Sequence, residues 1–545
     1  RSNGFLVKLR LMKQLIARLV PIVLCAIIAT FPGLAQETAP PPPANADAKL
    51  MSNRCEANPA LGDISTKPSW NGWGPGFTNA RFQEAAAAQL DAAQVPKLKL
   101  KWAFGFPGAK AVYGQPTVVA GRVFLGVDTG FVYSIDAATG CVYWSYRAAG
   151  PVRSAITIGP AQTKGQYLAY FGDLKGNVYA VDAATGEQVW KMNLDNHPVA
   201  RITGAPQIYQ NRLYVPVASF EEVSASKPDY GCCTFRGSVA ALDAQTGRQI
   251  WKSYIIPEAP KATIKNAKGT QQYGPSGGGV WNSPTLDPKR HALYVGTGDA
   301  YTAPAAKTTD AIVALDLDSG KMLWSVQDTQ GDAWVVGCGR ETDSENCPKD
   351  AGPDYDFGSS PILKSLPNGK SILIAGQKSG NVWAHDPDRK GAVIWKTAVF
   401  STPPKPSGQI VWGGSADNRD AYFGLASGGI VALSLTNGER EWSTAIDPAE
   451  GRRGGHDAAV TAIPGVIFSG GRDGILRALS AKDGKIIWDF DTIQEFKTAN
   501  GIPAKGGSMG SAGPTISGGM VFAGSGYTGT QPGVNGNVLL AFGVE

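Results

Sequence analysis

The sequence predicts an all-β chain, an eight-bladed β-propeller whose ring is closed by an N-terminal strand joining the C-terminal blade. Three observations predict it. A phrase of the form D-x-x-T-G-x-x-x-W keeps returning, as "SIDAATGCVYW" ending at Trp144, "AVDAATGEQVW" at Trp190, "ALDAQTGRQIW" at Trp251 and "ALDLDSGKMLW" at Trp324. Looser copies end at Trp395, Trp442 and Trp488. Two further short β-type runs precede each phrase, as in "QPTVVAGRVFLGVDTG", and the two ends of the repeat region hold complementary parts of one more unit.

Each part of the unit has a local reason. Alternating apolar runs such as "VYSID" read as strands. "AATG" reads as a tight turn, in which the Asp bonds backbone amides and the Gly supplies positive φ. The run ending in Trp is an outer strand whose indole packs between neighbouring units. Self-similarity at this period with four strands per unit is the signature of propeller blades. Seven phrases make seven blades. The C-terminal "GPTISGGMVFAGSG" and "GNVLLAF" supply three strands of an eighth, and "LKLKWAF" around Trp102 supplies its outer strand. Closure by both termini removes the open sheet edges. The eight repeat tryptophans are therefore structural.

Around the repeats, composition narrows the context. The chain has 545 residues, 43% hydrophobic, enough for a large core. Residues 1–35 read as a signal peptide: a basic start (Lys8, Arg10, Lys13, Arg18), the apolar "LVPIVLCAIIATF", and "GLA" before Gln36, with Met12 a candidate true start. The apolar run is short for a membrane span, so no stable span is expected after cleavage, and export places the protein in the periplasm. Residues 36–50 read as a Pro/Ala-rich linker and 51–545 as the propeller. Removing the five basic residues of the signal takes the formal net charge from +6 to +1, so nothing here points to nucleic acid.

Six cysteines follow the signal, and an even count in an exported chain suits disulfides. Cys338 and Cys347 bracket a short polar loop and suit a bond to each other. Cys232 and Cys233 are neighbours, whose Cα atoms lie ~3.8 Å apart in a trans peptide against the ~4.4–6.8 Å of a relaxed bridge. Either they join each other or each reaches Cys55 or Cys141. No C-x-x-C-H haem attachment occurs, and the four histidines have no zinc-type spacing.

Insertions in a repeat protein collect on one face, often the binding face. Three stand out: "VASFEEVSASKPDYGCCTFRG" in blade three, "GPSGGGVWNSPTL" with "YVGTGDAYTAP" in blade four, and "QDTQGDAWVVGCGRETDSENCPKDAGPDYDFGSS" after it. With "WNGWGPGFTNARFQ" near Trp70, these resemble the quinoprotein alcohol dehydrogenases, eight-bladed propellers holding pyrroloquinoline quinone (PQQ), and within them the polyvinyl-alcohol dehydrogenase branch.

The resemblance implies a site. Trp281 matches the tryptophan beneath the PQQ plane, and a Cys232–Cys233 disulfide would cover the other face. Ser219 and Thr203 match cofactor contacts, and Lys378 a basic residue near the quinone oxygens. Arg153 and Arg236 are candidates for the acidic edge of the cofactor. Glu222, with Glu221 as rival, and Asp299 would hold a hard cation, Ca²⁺ or another; the family usually has asparagine where Asp299 stands. The general base usually follows the tryptophan in D-x-W-D, but that slot is Val335, which leaves Asp332 and Asp299 as candidates. The implied activity is oxidation of secondary alcohols, including polymeric ones, with electrons passed to a soluble cytochrome c. The competing reading is a propeller without catalysis that scaffolds envelope proteins.

Overall fold

The computed structural model describes residues 46–339, 343–400, 409–527 and 533–545. Eight antiparallel sheets, each the four-stranded unit expected, make eight blades. Blade one is typical: Thr117–Val119, Arg122–Gly126, Phe131–Asp136 and Val142–Arg147, paired in sequence order. Blade three gains a short extra strand, Ala200–Arg201, against Arg212–Ser219. In blade eight, Lys99–Gly105 pairs antiparallel with Val538–Gly543, so the N-terminal strand closes the ring as the sequence predicts.

The burial pattern shows why these residues form these strands. The third strands, such as Phe131–Asp136, are apolar and buried almost throughout, because both their faces meet neighbouring blades. The outer strands are mostly exposed and anchor through their tryptophan, as Trp190 does in Gln188–Asn193. The hydrophobic clusters lie between blades: one joins Leu168, Tyr170 and Val178 of blade two to Leu213, Val215 and Leu242 of blade three.

The repeat phrase is the joint between blades. Asp136 Oδ1 accepts hydrogen bonds from the Ala138 and Thr139 amides and from Thr139 Oγ1, which closes the turn. The preceding blade's Trp102 donates its indole N–H to Ala137 O at 3.1 Å. Trp144, Trp190, Trp251, Trp395 and Trp442 repeat this bond to the next blade, and Trp488 completes the circle on Leu98 O. The turn glycine lies under the same indole: a Cβ on Gly247 would stand 2.7 Å from Trp190. Gly247 also has φ +72°, so both backbone and space demand glycine there.

Residues 70–83 form a second tie, running past the innermost strands. Trp70 exchanges backbone bonds with Val118, and Asn71 bonds Ile158. Phe77, Thr78 and Ala80 carbonyls accept from Leu286, Leu363 and Ala416, and Arg81 and Gln83 reach Thr461 and Ile516. This one segment thus joins strands of seven blades, and Phe77 meets Tyr209 of the remaining blade edge-to-face.

Two expectations need comment. The signal peptide and residues 36–45 of the linker lie outside the described residues. Residues 46–50 do not behave as linker: Ala46 and Ala48 are buried against blade one, where Tyr133 Oη donates to Ala46 O. The packed domain thus begins by Ala46 rather than Met51. No helix among the described residues is long and apolar enough to cross a membrane.

Gly247→Ala is expected to cost about 2–4 kcal/mol, a left-handed backbone penalty plus a ring clash. Gly165→Ala, at φ +83° with open space around the new Cβ, should cost only about 1–2 kcal/mol. Urea unfolding midpoints compare the two, and equal losses would mean that the indole contact contributes nothing.

Candidate active site

In an antiparallel four-stranded blade, the loop into the first strand and the loop between strands two and three lie at the same end. The repeat turn, between strands three and four, lies at the other. The joint between blades is thereby kept apart from one end of the ring. At that end is a cavity of about 590 Å³. Its wall comes from loops into the innermost strands (Arg153, Thr203, Trp281, Asp354, Asp356, Trp412, Asp457) and from the ends of second strands and the loops after them (Ser219, Glu222, Asp299, Lys378, Arg472, Tyr527).

Close backbone packing sets the floor. Gly278 N donates to Asp299 O, Gly298 N to Gly279 O, and Trp334 N to Ala300 O, which lays three insertion segments side by side. Trp281 rests on Gly358: a Cβ there would lie 1.9 Å from the indole. The Trp281 ring meets Trp412 edge-to-face at 5.4 Å. Arg153 lies 4.0 Å over the Trp412 ring and 5.8 Å from the Tyr527 ring, and its buried Nη2 has no hydrogen-bond partner. Arg472 is held by Asp457 through two bonds of 2.8 Å.

Beside the floor, Glu222, Asp299 and Asp356 each bring a carboxylate oxygen within 4.8 Å of the others. Asp299 Oδ2 is buried and has no hydrogen-bond partner, while Asp356 Oδ1 accepts from the Asp299 amide at 2.7 Å. Lys378 Nζ bridges Asp354 at 2.5 Å and Asp356 at 2.9 Å, and lies 5.5 Å over Trp281. Burial pushes the Glu222 carboxyl up to about 8. Burial, reinforced by Asp356, holds Asp299 well above the usual carboxylate range. Burial would raise Asp356 as well, but the Lys378 ammonium and the bond to Asp299 leave it low. Three crowded carboxylates, one with an unmet oxygen, could serve as the donor set of a hard cation.

The structure brings together much of the expected site. Arg153, Thr203, Ser219, Glu222, Trp281, Asp299 and Lys378 all line the cavity. Four expectations are corrected. Cys232 and Cys233 do bond to each other, as Cys55 does to Cys141 and Cys338 to Cys347. Both residues are fully buried, packed with Phe235, Val335 and Cys338, and stand behind the cavity wall rather than on it. Glu221 is no cation ligand. Its carboxylate is fully buried and taken by Tyr230 Oη and the Thr234 and Phe235 amides. Arg236 points elsewhere, stacking on Tyr254 at 3.8 Å and donating to Ile256 and Pro257 carbonyls. Asp332 is buried behind the wall, where it accepts from the Asp354 and Tyr355 amides, so it shapes that turn and cannot reach a substrate.

Two cavity carboxylates, Asp354 and Asp356, were missed. They belong to "PDYDFG", nineteen residues beyond Trp334. Gly352 N donates to Ala333 O, so the chain returns to where it left and the intervening residues form a closed excursion. Val335 occupies the slot after the tryptophan only in sequence; in space the carboxylate beside the floor is that of Asp354. The signal was the pair of acids seven and nine residues after Cys347.

A family model described as the PQQ-type glucose/ethanol/alcohol dehydrogenase β-propeller domain matches residues 70–403. A second, described as outer membrane protein assembly factor BamB, matches residues 426–542. A polyvinylalcohol dehydrogenase of a Pseudomonas species is 41% identical over 527 residues, spanning 92% of this chain and 81% of that protein. Another, from Sphingopyxis sp. (strain 113P3), is 38% identical over 525 residues, spanning 91% and 79%. Among solved structures, the quinohemoprotein alcohol dehydrogenase of Comamonas testosteroni superposes with a TM-score of 0.63 at 19% identity, covering 88% of this chain and 80% of that one.

Asp332→Asn replaces one of two buried acceptors with a donor, an expected loss of about 1–3 kcal/mol at that turn. Hydrogen exchange should quicken in peptides spanning residues 350–358 and stay unchanged in blades one and seven; unchanged exchange at the turn would contradict the assignment.

Proposed function

The chain belongs to the family of PQQ-dependent alcohol dehydrogenases, and we propose that its cavity oxidises the hydroxyl groups of polyvinyl alcohol and small secondary alcohols to ketones. One observation carries the reading: a triad of carboxylates, two of them buried, stands beside an indole floor and a buried guanidinium nitrogen that lacks a partner. A flat tricarboxylate quinone with a hard cation would complement each of these. A scaffolding propeller needs none of them.

When bound, PQQ supplies a two-electron acceptor for the carbon-bound hydride of the alcohol, and the cation supplies a Lewis acid. The protein does the rest. Glu222, Asp299 and Asp356 would hold the cation, Ca²⁺ being the fitting class. Trp281 offers its indole face to the ring, and Thr203 and Ser219 offer hydroxyls on the same wall. Arg153 supplies the donor for an acidic edge, a role Arg236 cannot take. Asp354 is the general base. It lies on the wall, its turn is set by Asp332, and its bond to Lys378 Nζ at 2.5 Å holds it in place to take the hydroxyl proton.

Substrate choice rests on the two polyvinylalcohol dehydrogenase relatives. The electrons would leave for a soluble cytochrome c. The leader-like N-terminus and three disulfides support a periplasmic setting.

Purified protein given PQQ and Ca²⁺ should reduce a dye with 2-propanol or polyvinyl alcohol and show bound-quinone absorbance. Absence of both would overturn the reading. Asp354→Asn should keep the absorbance but lose about 10²–10⁴-fold in kcat. Trp281→Ala should instead weaken retention of the quinone on gel filtration.

A further inference from the structure

We propose that Glu221 and Asn346 are positioning residues that together hold Glu222 at the cation site. The inference rests on the reading of Glu222, Asp299 and Asp356 as cation ligands.

Glu222 lies on a single helical turn, Glu221–Ser224, too short to hold its own orientation. Its neighbours fix it from both sides. On one side, the fully buried Glu221 carboxylate accepts from the Thr234 and Phe235 amides, each at 2.8 Å, and from Tyr230 Oη at 3.0 Å. Those amides directly follow Cys233, in a loop whose position is fixed by the packed Cys232–Cys233 bridge. His197 Nε2 lies 3.3 Å from the same carboxylate. Adjacent glutamates thus point opposite ways, one into the core and one into the cavity.

On the other side, the turn ends at Ala225, whose carbonyl accepts from Asn346 Nδ2 at 3.1 Å and from Ser344 Oγ at 3.2 Å. Asn346 Nδ2 also reaches the Lys227 and Tyr230 carbonyls, and Asn346 Oδ1 accepts from Asn266 Nδ2 at 2.8 Å. Asn346 precedes Cys347, which is bonded to Cys338, and Val336 N donates to the carbonyl of Glu222 itself at 3.1 Å. Two cross-linked insertions from different blades therefore grip one helical turn by both ends. Partners of this kind, which orient a ligand without touching the metal, typically account for about 10–100-fold in metal affinity.

The test is direct calcium titration by calorimetry on the purified protein without quinone, comparing wild type, Glu222→Gln, Asn346→Ala, Glu221→Gln and the milder Ser344→Ala. Glu222→Gln should abolish binding; if wild type does not bind, or Glu222→Gln binds like wild type, the cation-site reading fails. Given that control, Asn346→Ala and Glu221→Gln should raise Kd by about 10-fold or more and Ser344→Ala by less. With quinone present, saturating calcium should restore kcat in the Asn346 variant. An unchanged Kd accompanied only by a lower melting temperature would overturn the inference. Should Asn346→Ala or Glu221→Gln fail to fold, Ser344→Ala decides: a Kd like that of wild type counts against the clasp.

Discussion

The structure depends on one repeated contact, a tryptophan of one blade lying on the turn glycine of the next. It acts in two ways at once. The indole covers a glycine that has no Cβ to keep it away, and its N–H meets a carbonyl of the same turn. Truncating a packed tryptophan typically costs about 3–5 kcal/mol, so a ring of such joints is stiff. Closure makes them mutually dependent: Trp488 has no repeat turn ahead of it and uses the carbonyl of Leu98, beside the strand that completes blade eight.

That stiffness permits an otherwise unfavourable site. Glu222, Asp299, Asp354 and Asp356 crowd beside Lys378, and burial, reinforced at Asp299 by Asp356, drives two of these acids toward their neutral forms. A flexible loop would relieve the crowding by moving apart. Here the segments carrying the acids are held by backbone bonds at Gly278, Gly298 and Trp334, and by glycines packed against neighbouring atoms. Under the proposed function, a cation at the carboxylates and an anionic planar cofactor at Arg153 would relieve that crowding.

The corrections share a cause. Glu221 and Glu222 are indistinguishable by composition, and only the amides after Cys233 decide which turns inward. Arg236 follows the cysteines closely enough to suggest a role at the site, yet Tyr254 offers a nearer aromatic face. Asp332 lies two residues before Trp334, but the bond from Gly352 back to Ala333 brings Asp354, and not Asp332, to the cavity wall.

The blade count, the closing strand, the structural tryptophans, Trp281 and six further cavity residues were legible in the sequence alone. Strands and tight turns are written by near neighbours: alternation, an Asp that bonds the next amides, a glycine with positive φ. Only the tertiary structure decided which acid faces the cavity, where the vicinal disulfide packs, and that Asp354 and Asp356 reach the cavity wall. Those outcomes follow from hydrogen bonds between segments tens to more than a hundred residues apart, such as Asn346 to Ala225. Such bonds leave no periodic trace in the chain.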